Sequence, residues 1–156
     1  MTGVRPPGVR APGWGAPGDS QSRRRLLLEL FQAGLARVDG RLCVTRALGA
    51  PGGHTWVAAV GKAASAMALG AYDALQSSIQ RVLLITKDGH VSAQARGLPG
   101  VEVYESAHPV PDARSLEAGA RLLRWVDELP AAVEPLFLIS GGASSLVNAS
   151  LCFRSP

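Results

Sequence analysis

Four short apolar runs constrain this chain more than any other feature: TWVAAV at 55–60, RVLLIT at 81–86, VEVYE at 101–105 and PLFLIS at 135–140. Runs of this length and composition read as strands, and strands alternating with helical segments favour a mostly parallel sheet. The alanine-rich stretch 62–76 (KAASAMALGAYDALQ) predicts a helix between the first two runs, and 87–100 (KDGHVSAQARGLPG) predicts a loop. Residues 106–112 (SAHPVPD) are irregular, because Pro109 and Pro111 restrict the backbone around them. Residues 113–129 predict a helix with Leu116, Ala120, Leu123 and Val126 facing inward. The predicted fold class is α/β: a Rossmann-like, mostly parallel sheet with flanking helices.

Residues 1–21 form a Pro-, Gly- and Arg-rich leader without hydrophobic periodicity, predicted to be disordered, with Trp14 its one docking candidate. Leu26, Leu27, Leu30, Phe31, Gly34, Leu35 and Val38 recur at helical spacing, so 22–38 predict an amphipathic helix capped by Ser20 or Ser22. Pro51, Gly52 and Gly53 mark a loop, and His54 at its end is expected to be exposed. The net charge of +4 resides in the leader: residues 1–25 hold five arginines against one aspartate, and eleven basic and eleven acidic side chains cancel in the remainder. A basic tail of this kind does not make a nucleic-acid face. No apolar run approaches the ~20 residues that span a bilayer, and the basic N-terminus lacks the apolar core of a secretory signal. Cys43 and Cys152 have no metal spacing and no CxxC partner, which fits reduced thiols in a cytoplasmic protein. Cys43 reads as a small apolar filler near a helix end.

In open α/β sheets, ligands bind beyond the carboxyl ends of the strands. The four segments that follow the predicted strands are therefore the candidate site. After the first come Gly61 and Lys62, where a lysine at a helix start adds its charge to the positive end of the helix and suits a phosphate or carboxylate. A solvated lysine is an equally ordinary occupant, and Trp56 and Ala63 exclude a Walker A loop. After the second come Asp88, Gly89 and His90, which read as a turn. After the third come Glu105, which could bind a ligand hydroxyl or simply end a strand, and His108, which could contact substrate or tie its proline-rich loop down. Asp112 reads as a cap for the next helix. After the fourth come Ser140, Gly141, Gly142, Ala143, Ser144 and Ser145, where glycines let backbone approach an anion and hydroxyls donate hydrogen bonds. No GxGxxG fingerprint is present, which counts against a nicotinamide enzyme.

With these residues in order, the chain resembles the bacterial glycerate 2-kinase family, whose second domain is the MOFRL domain and some of whose members carry hydroxypyruvate reductase names. The resemblance rests on VAAVGKAASAMA, LLITKDGH, ESAHPVPDARSLEAG and LFLISGGASSLV, covers roughly residues 22–147, and is most specific in the HPVPD and SGG pieces. It implies ATP-dependent phosphorylation of D-glycerate to 2-phosphoglycerate, with ATP and Mg²⁺, in a cleft between an α/β domain and the MOFRL domain. It implies that Lys62 lies near the transferred phosphoryl group. It further implies that Gly141 and Gly142 form the glycine loop, with Ser140, Ser144 and Ser145 as donors.

The family's SGGGSALL stands here as SGGASSLV, and the likeness ends after Val147. The expected organisation is thus a leader at 1–21, a partial α/β domain at 22–147 forming the N-terminal part of a larger domain, a non-matching tail at 148–156, and no MOFRL domain. The expectation from that organisation is a truncated or frame-shifted product, or a fragment, inactive or weakly active alone. Two other classes remain open: NAD(P)H-dependent hydroxypyruvate reduction, and a non-catalytic α/β module that binds phosphoanions.

Overall fold

The computed structural model describes residues 20–49 and 53–148. The expectations for the leader up to residue 19, Trp14, Cys152 and most of the 148–156 tail therefore lie outside the described residues. The chain divides into two units, residues 1–36 and 37–156. In the first unit, α1 (Ser20–Arg37) is helical as its periodicity predicts, and none of its residues is buried.

The second unit opens with α2 (Gly40–Ala47), a helix its sequence did not announce. Asp39 caps it by accepting a hydrogen bond from the Leu42 amide at 2.9 Å. Cys43 lies within this helix and is exposed, so the expectation of a core filler fails; Val44 takes the buried position instead. β1 (Thr55–Val60), α3 (Ala64–Leu75), β2 (Ile79–Lys87), β3 (Val101–Ser106), α5 (Ala113–Asp127) and β4 (Glu134–Ile139) then follow the predicted alternation. Two short helices punctuate it: α4 (Ala93–Arg96), inside the stretch expected to be loop, and α6 (Ala143–Leu146) after β4. Ser92 caps α4 by accepting from the Ala95 amide.

All four strands are parallel, in the order β3-β2-β1-β4. β1 and β2 are the inner strands, and near-continuous apolar sequence is what burial on both faces requires. Alternation sends Val57, Ala59, Val82 and Leu84 to one face, against α3 residues Ala64, Met67, Ala68 and Ala71 and against Val44 of α2. Trp56, Ala58, Val60, Leu83 and Ile85 turn to the other face, where Ala118 and Trp125 of α5 and Leu146 of α6 cover them. Trp125 packs against Trp56 at 5.6 Å and edge-on to Phe137 at 5.9 Å between ring centroids.

The inward face of α5 differs from the one predicted. Leu116, Leu123 and Val126 are 48%, 55% and 42% exposed, and Ala120 is exposed as well. Ser115, Ala118, Gly119, Arg121 and Trp125 are buried in their place. The helix carries two stripes at helical spacing, and the one with small residues wins because the 147–148 backbone passes against it. A β-carbon at Gly119 would collide with the Asn148 carbonyl, whose amide in turn donates to Ser115 O at 2.9 Å. Arg121 is tolerated inside because Glu102 receives it through two 2.6 Å hydrogen bonds.

Candidate active site

The strand order places a topological switch point between β1 and β4. From β1 the chain winds through β2 to β3 on one side, then returns through α5 to lay β4 on the other side of β1. In open α/β sheets ligands bind at such a point, beyond the carboxyl ends of the strands. The two segments that flank it here are Gly61-Lys62 and Ser140-Gly141-Gly142.

Backbone hydrogen bonds lock these two segments together. Ser140 N donates to Val60 O at 2.9 Å, Lys62 N to Gly141 O at 3.1 Å, and Ala63 N to Ser140 Oγ at 3.0 Å. Gly61 has φ +122, and a side chain there would strike Ser140, so glycine is required both for the turn and for the approach. Ala64 N closes back onto Gly61 O at 3.1 Å. The amides of Lys62, Ala63 and Ala64 are therefore committed internally, and the Lys62 ammonium is the charge this turn presents. Lys62 is exposed.

Gly142 brings a third segment to the same place. It has φ +90 at the start of α6, and a β-carbon on it would lie 2.9 Å from His108 Cδ2 and Nε2 and 3.5 Å from Lys62 Cε. Lys62, Gly142 and the His108 imidazole thus adjoin one another, although they come from three different loops. In front of Gly141 nothing lies within 4 Å of where a β-carbon would stand. Ser144 is exposed on α6.

Three of the anticipated ligand groups make hydrogen bonds within the framework. Ser140 Oγ accepts from Ala63 N, as above, and Ser145 Oγ donates to Gly142 O at 2.9 Å. Glu105 accepts from the Gly89 amide at 2.8 Å and pairs with Arg96 at 2.9 Å, so it fastens the turn after β2. That turn closes through His90 N to Lys87 O, and its Asp88 amide reaches Ser106 O. His90 is exposed, as is His54.

Arg114, which sequence reasoning passed over, links two of the loops. It bonds Asp88 Oδ1 at 2.6 Å and Asp112 Oδ2 at 2.8–2.9 Å. The two carboxylates hold the guanidinium above its usual range, Asp88 contributing most. Arg114 in turn holds the Asp112 carboxyl below the ordinary carboxylate range. Asp112 also caps α5, as expected, in a reciprocal arrangement with Ser115. The His108–Pro109 peptide is cis. The acidic groups around the site, Asp88, Glu105 and Asp112, therefore face arginines, and Lys62 has no carboxylate partner among the described residues. Nor do any three His, Cys, Asp or Glu side chains come together to hold a metal ion among the described residues.

Comparison with known proteins agrees with this architecture. A family model described as a domain of unknown function, DUF4147, matches residues 26–151. The chain belongs to this family. Relatives of the DUF4147 segment include the D-glycerate 2-kinase of Thermotoga maritima, 42% identical over 93 residues, which are 60% of this chain and 22% of that enzyme. A protein of Agrobacterium vitis named for hydroxypyruvate reductase is 34% identical over 128 residues, 81% of this chain and 28% of its own length. The crystal structure of a Thermotoga maritima glycerate kinase superposes with a TM-score of 0.70 at 32% identity, covering 84% of this chain and 31% of that one. A Pyrococcus horikoshii OT3 protein gives a TM-score of 0.67 at 26% identity, with 80% and 30% covered. The DUF4147 chain thus spans less than a third of the length of each of these relatives. The resemblance drawn from GKAASAMA, HPVPD and SGGASS holds, as does the α/β fold it implied.

Proposed function

We propose that the β1/β4 edge handles a phosphoryl group, and that the chain is part of a D-glycerate 2-kinase type of phosphotransferase using ATP. The observation that supports this most is the convergence of Lys62, Gly142 and His108 at the switch point. Phosphoryl transfer rests on positioning and neutralisation of charge. Lys62 supplies a cation with no carboxylate partner among the described residues. Gly61 lets the backbone turn so that this cation sits at the switch point, and Gly141 and Gly142 keep side chains out of it. Ser144 supplies a hydroxyl donor, and His108 a ring nitrogen beside Gly142. Ser140, Ser145 and Glu105 serve by holding these groups in place.

Among the described residues, the carboxylates around this edge, Asp88, Glu105 and Asp112, are paired with arginines. What this segment contributes is a lone ammonium and a bare glycine loop, which suit phosphoryl oxygens rather than a cation.

ATP binding measured calorimetrically, together with ADP release in the presence of D-glycerate and Mg²⁺, tests this reading. Lys62→Ala is expected to weaken ATP binding by ~10- to 100-fold, the worth of one hydrogen bond to a charged group. Unchanged affinity in that variant would sink the assignment. ATP binding without ADP release would fit both a kinase segment inactive by itself and a non-catalytic phosphoanion module. The name of the Agrobacterium relative favours hydroxypyruvate reduction as a second reading. NADH oxidation with hydroxypyruvate would establish it, although the turn after β1 lacks the dinucleotide fingerprint.

A further inference from the structure

Thr86 is the one hydroxyl in the apolar run of β2, and it is completely buried. A valine would match its shape, and burying a hydroxyl is unfavourable unless it is hydrogen-bonded. Its Oγ1 donates to Gly61 O at 2.8 Å. The ladder explains why a side chain is needed there. After a register shift between Thr55 and Trp56, β1 and β2 pair regularly up to Val60 and Ile85, and Gly61 N still reaches Ile85 O at 3.0 Å. At φ +122 the chain then leaves the sheet, and Thr86 is not among the backbone pairs of β1. The Gly61 carbonyl is caught instead by the Thr86 side chain and by the Ala64 amide that begins α3. Thr86 shares its sheet face with Val82 and Leu84, the face on which α3 packs.

We propose that Thr86 is a positioning residue for Lys62, acting through the Gly61 carbonyl. The peptide that carries Lys62 is held from both sides: by Thr86 on β2, and by Ser140 and Gly141 after β4. The Thr86 side is anchored in the core and sets the reference from which the ammonium is aimed. This inference rests on the reading of Lys62 as the phosphate-handling cation, but the brace itself is a separate claim and can fail separately.

The test uses the 156-residue chain as wild type, Thr86→Val, Thr86→Ser and Lys62→Ala, with ATP as probe and backbone amide NMR as a second readout. In Thr86→Val, the amide resonances of Lys62, Ala63 and Ala64 are expected to shift while those of Leu83 and Trp125 stay. ATP affinity is expected to fall about tenfold. Thr86→Ser, which keeps the hydroxyl, is expected to restore both. A folded Thr86→Val with unmoved Lys62–Ala64 amides and wild-type affinity overturns the proposal. Loss of binding that Thr86→Ser does not restore overturns it too, since it would mark a packing role. If Lys62→Ala binds ATP as wild type does, the phosphate reading fails, and the amide shifts alone still decide whether Thr86 holds the turn. Should Thr86→Val not fold, the wild type decides: a Thr86 hydroxyl proton that exchanges as fast as a free one refutes the brace.

Discussion

Gly142→Ala tests the convergence at the switch point most directly. Gly142 has φ +90 and ψ 0, a conformation that is unfavourable for an L-residue by about 1–2 kcal/mol. The new methyl would also stand 2.9 Å from two atoms of the His108 ring. Pro109 and Pro111 stiffen the loop behind His108, so the ring gives way by leaving its rotamer, at a cost of about 0.5–1.5 kcal/mol. Together these lower the unfolding free energy by roughly 1.5–3.5 kcal/mol. Urea unfolding followed through the buried Trp56 and Trp125 reads this as a lower midpoint at unchanged slope. The neighbour provides the control. Gly141 has no positive φ and open space in front of it, so Gly141→Ala should stay within about 0.5 kcal/mol of wild type. ATP affinity should fall with Gly142→Ala, because the displaced imidazole and the Lys62 stem border the same point. Equal midpoints for the two variants would refute the geometry on which the candidate site rests.

Two further outcomes follow from the packing and the ion pairs. Leu123→Lys on the exposed stripe of α5 should change stability by no more than about 0.5 kcal/mol, whereas an inward-facing leucine would lose several times that in a thermal melt. Acid should destabilise the chain through Glu102, whose carboxyl is held below its ordinary range chiefly by hydrogen bonds from Arg121. A folded-state pKa below the unfolded one gives stability that is complete above the unfolded value and lost as pH falls through the folded one. The melting temperature should therefore drop as pH is lowered below about 4, and Arg121→Met should flatten part of that dependence. A pH-independent difference between the two proteins would show that the pair contributes no such linkage.

The alternation of strands and helices could be read directly, because burial on two faces leaves β1 and β2 no choice but continuous apolar sequence. The parallel arrangement then brings every post-strand segment to one edge, so Gly61, Lys62, His108 and the SGG loop could be named as neighbours before any coordinates. The face of α5 could not be chosen that way. Its larger aliphatic residues make the stronger stripe, yet Ala118 and Trp125 face the sheet, and the backbone at Asn148 leaves no room for a side chain at Gly119. The division of labour within the site was equally invisible. Ser140, Ser145 and Glu105 have the chemistry of ligands, and which acceptor or donor each one meets depends on loops that lie far apart in the chain.

Local sequence carries strand burial, caps and glycine turns because those depend on a few neighbouring residues. It does not carry the partner of a hydroxyl such as Thr86, whose role exists only once β2 lies beside the end of β1. That contact, and the neighbourhood of Lys62, Gly142 and His108, come from strand order and register, which are properties of the whole sheet.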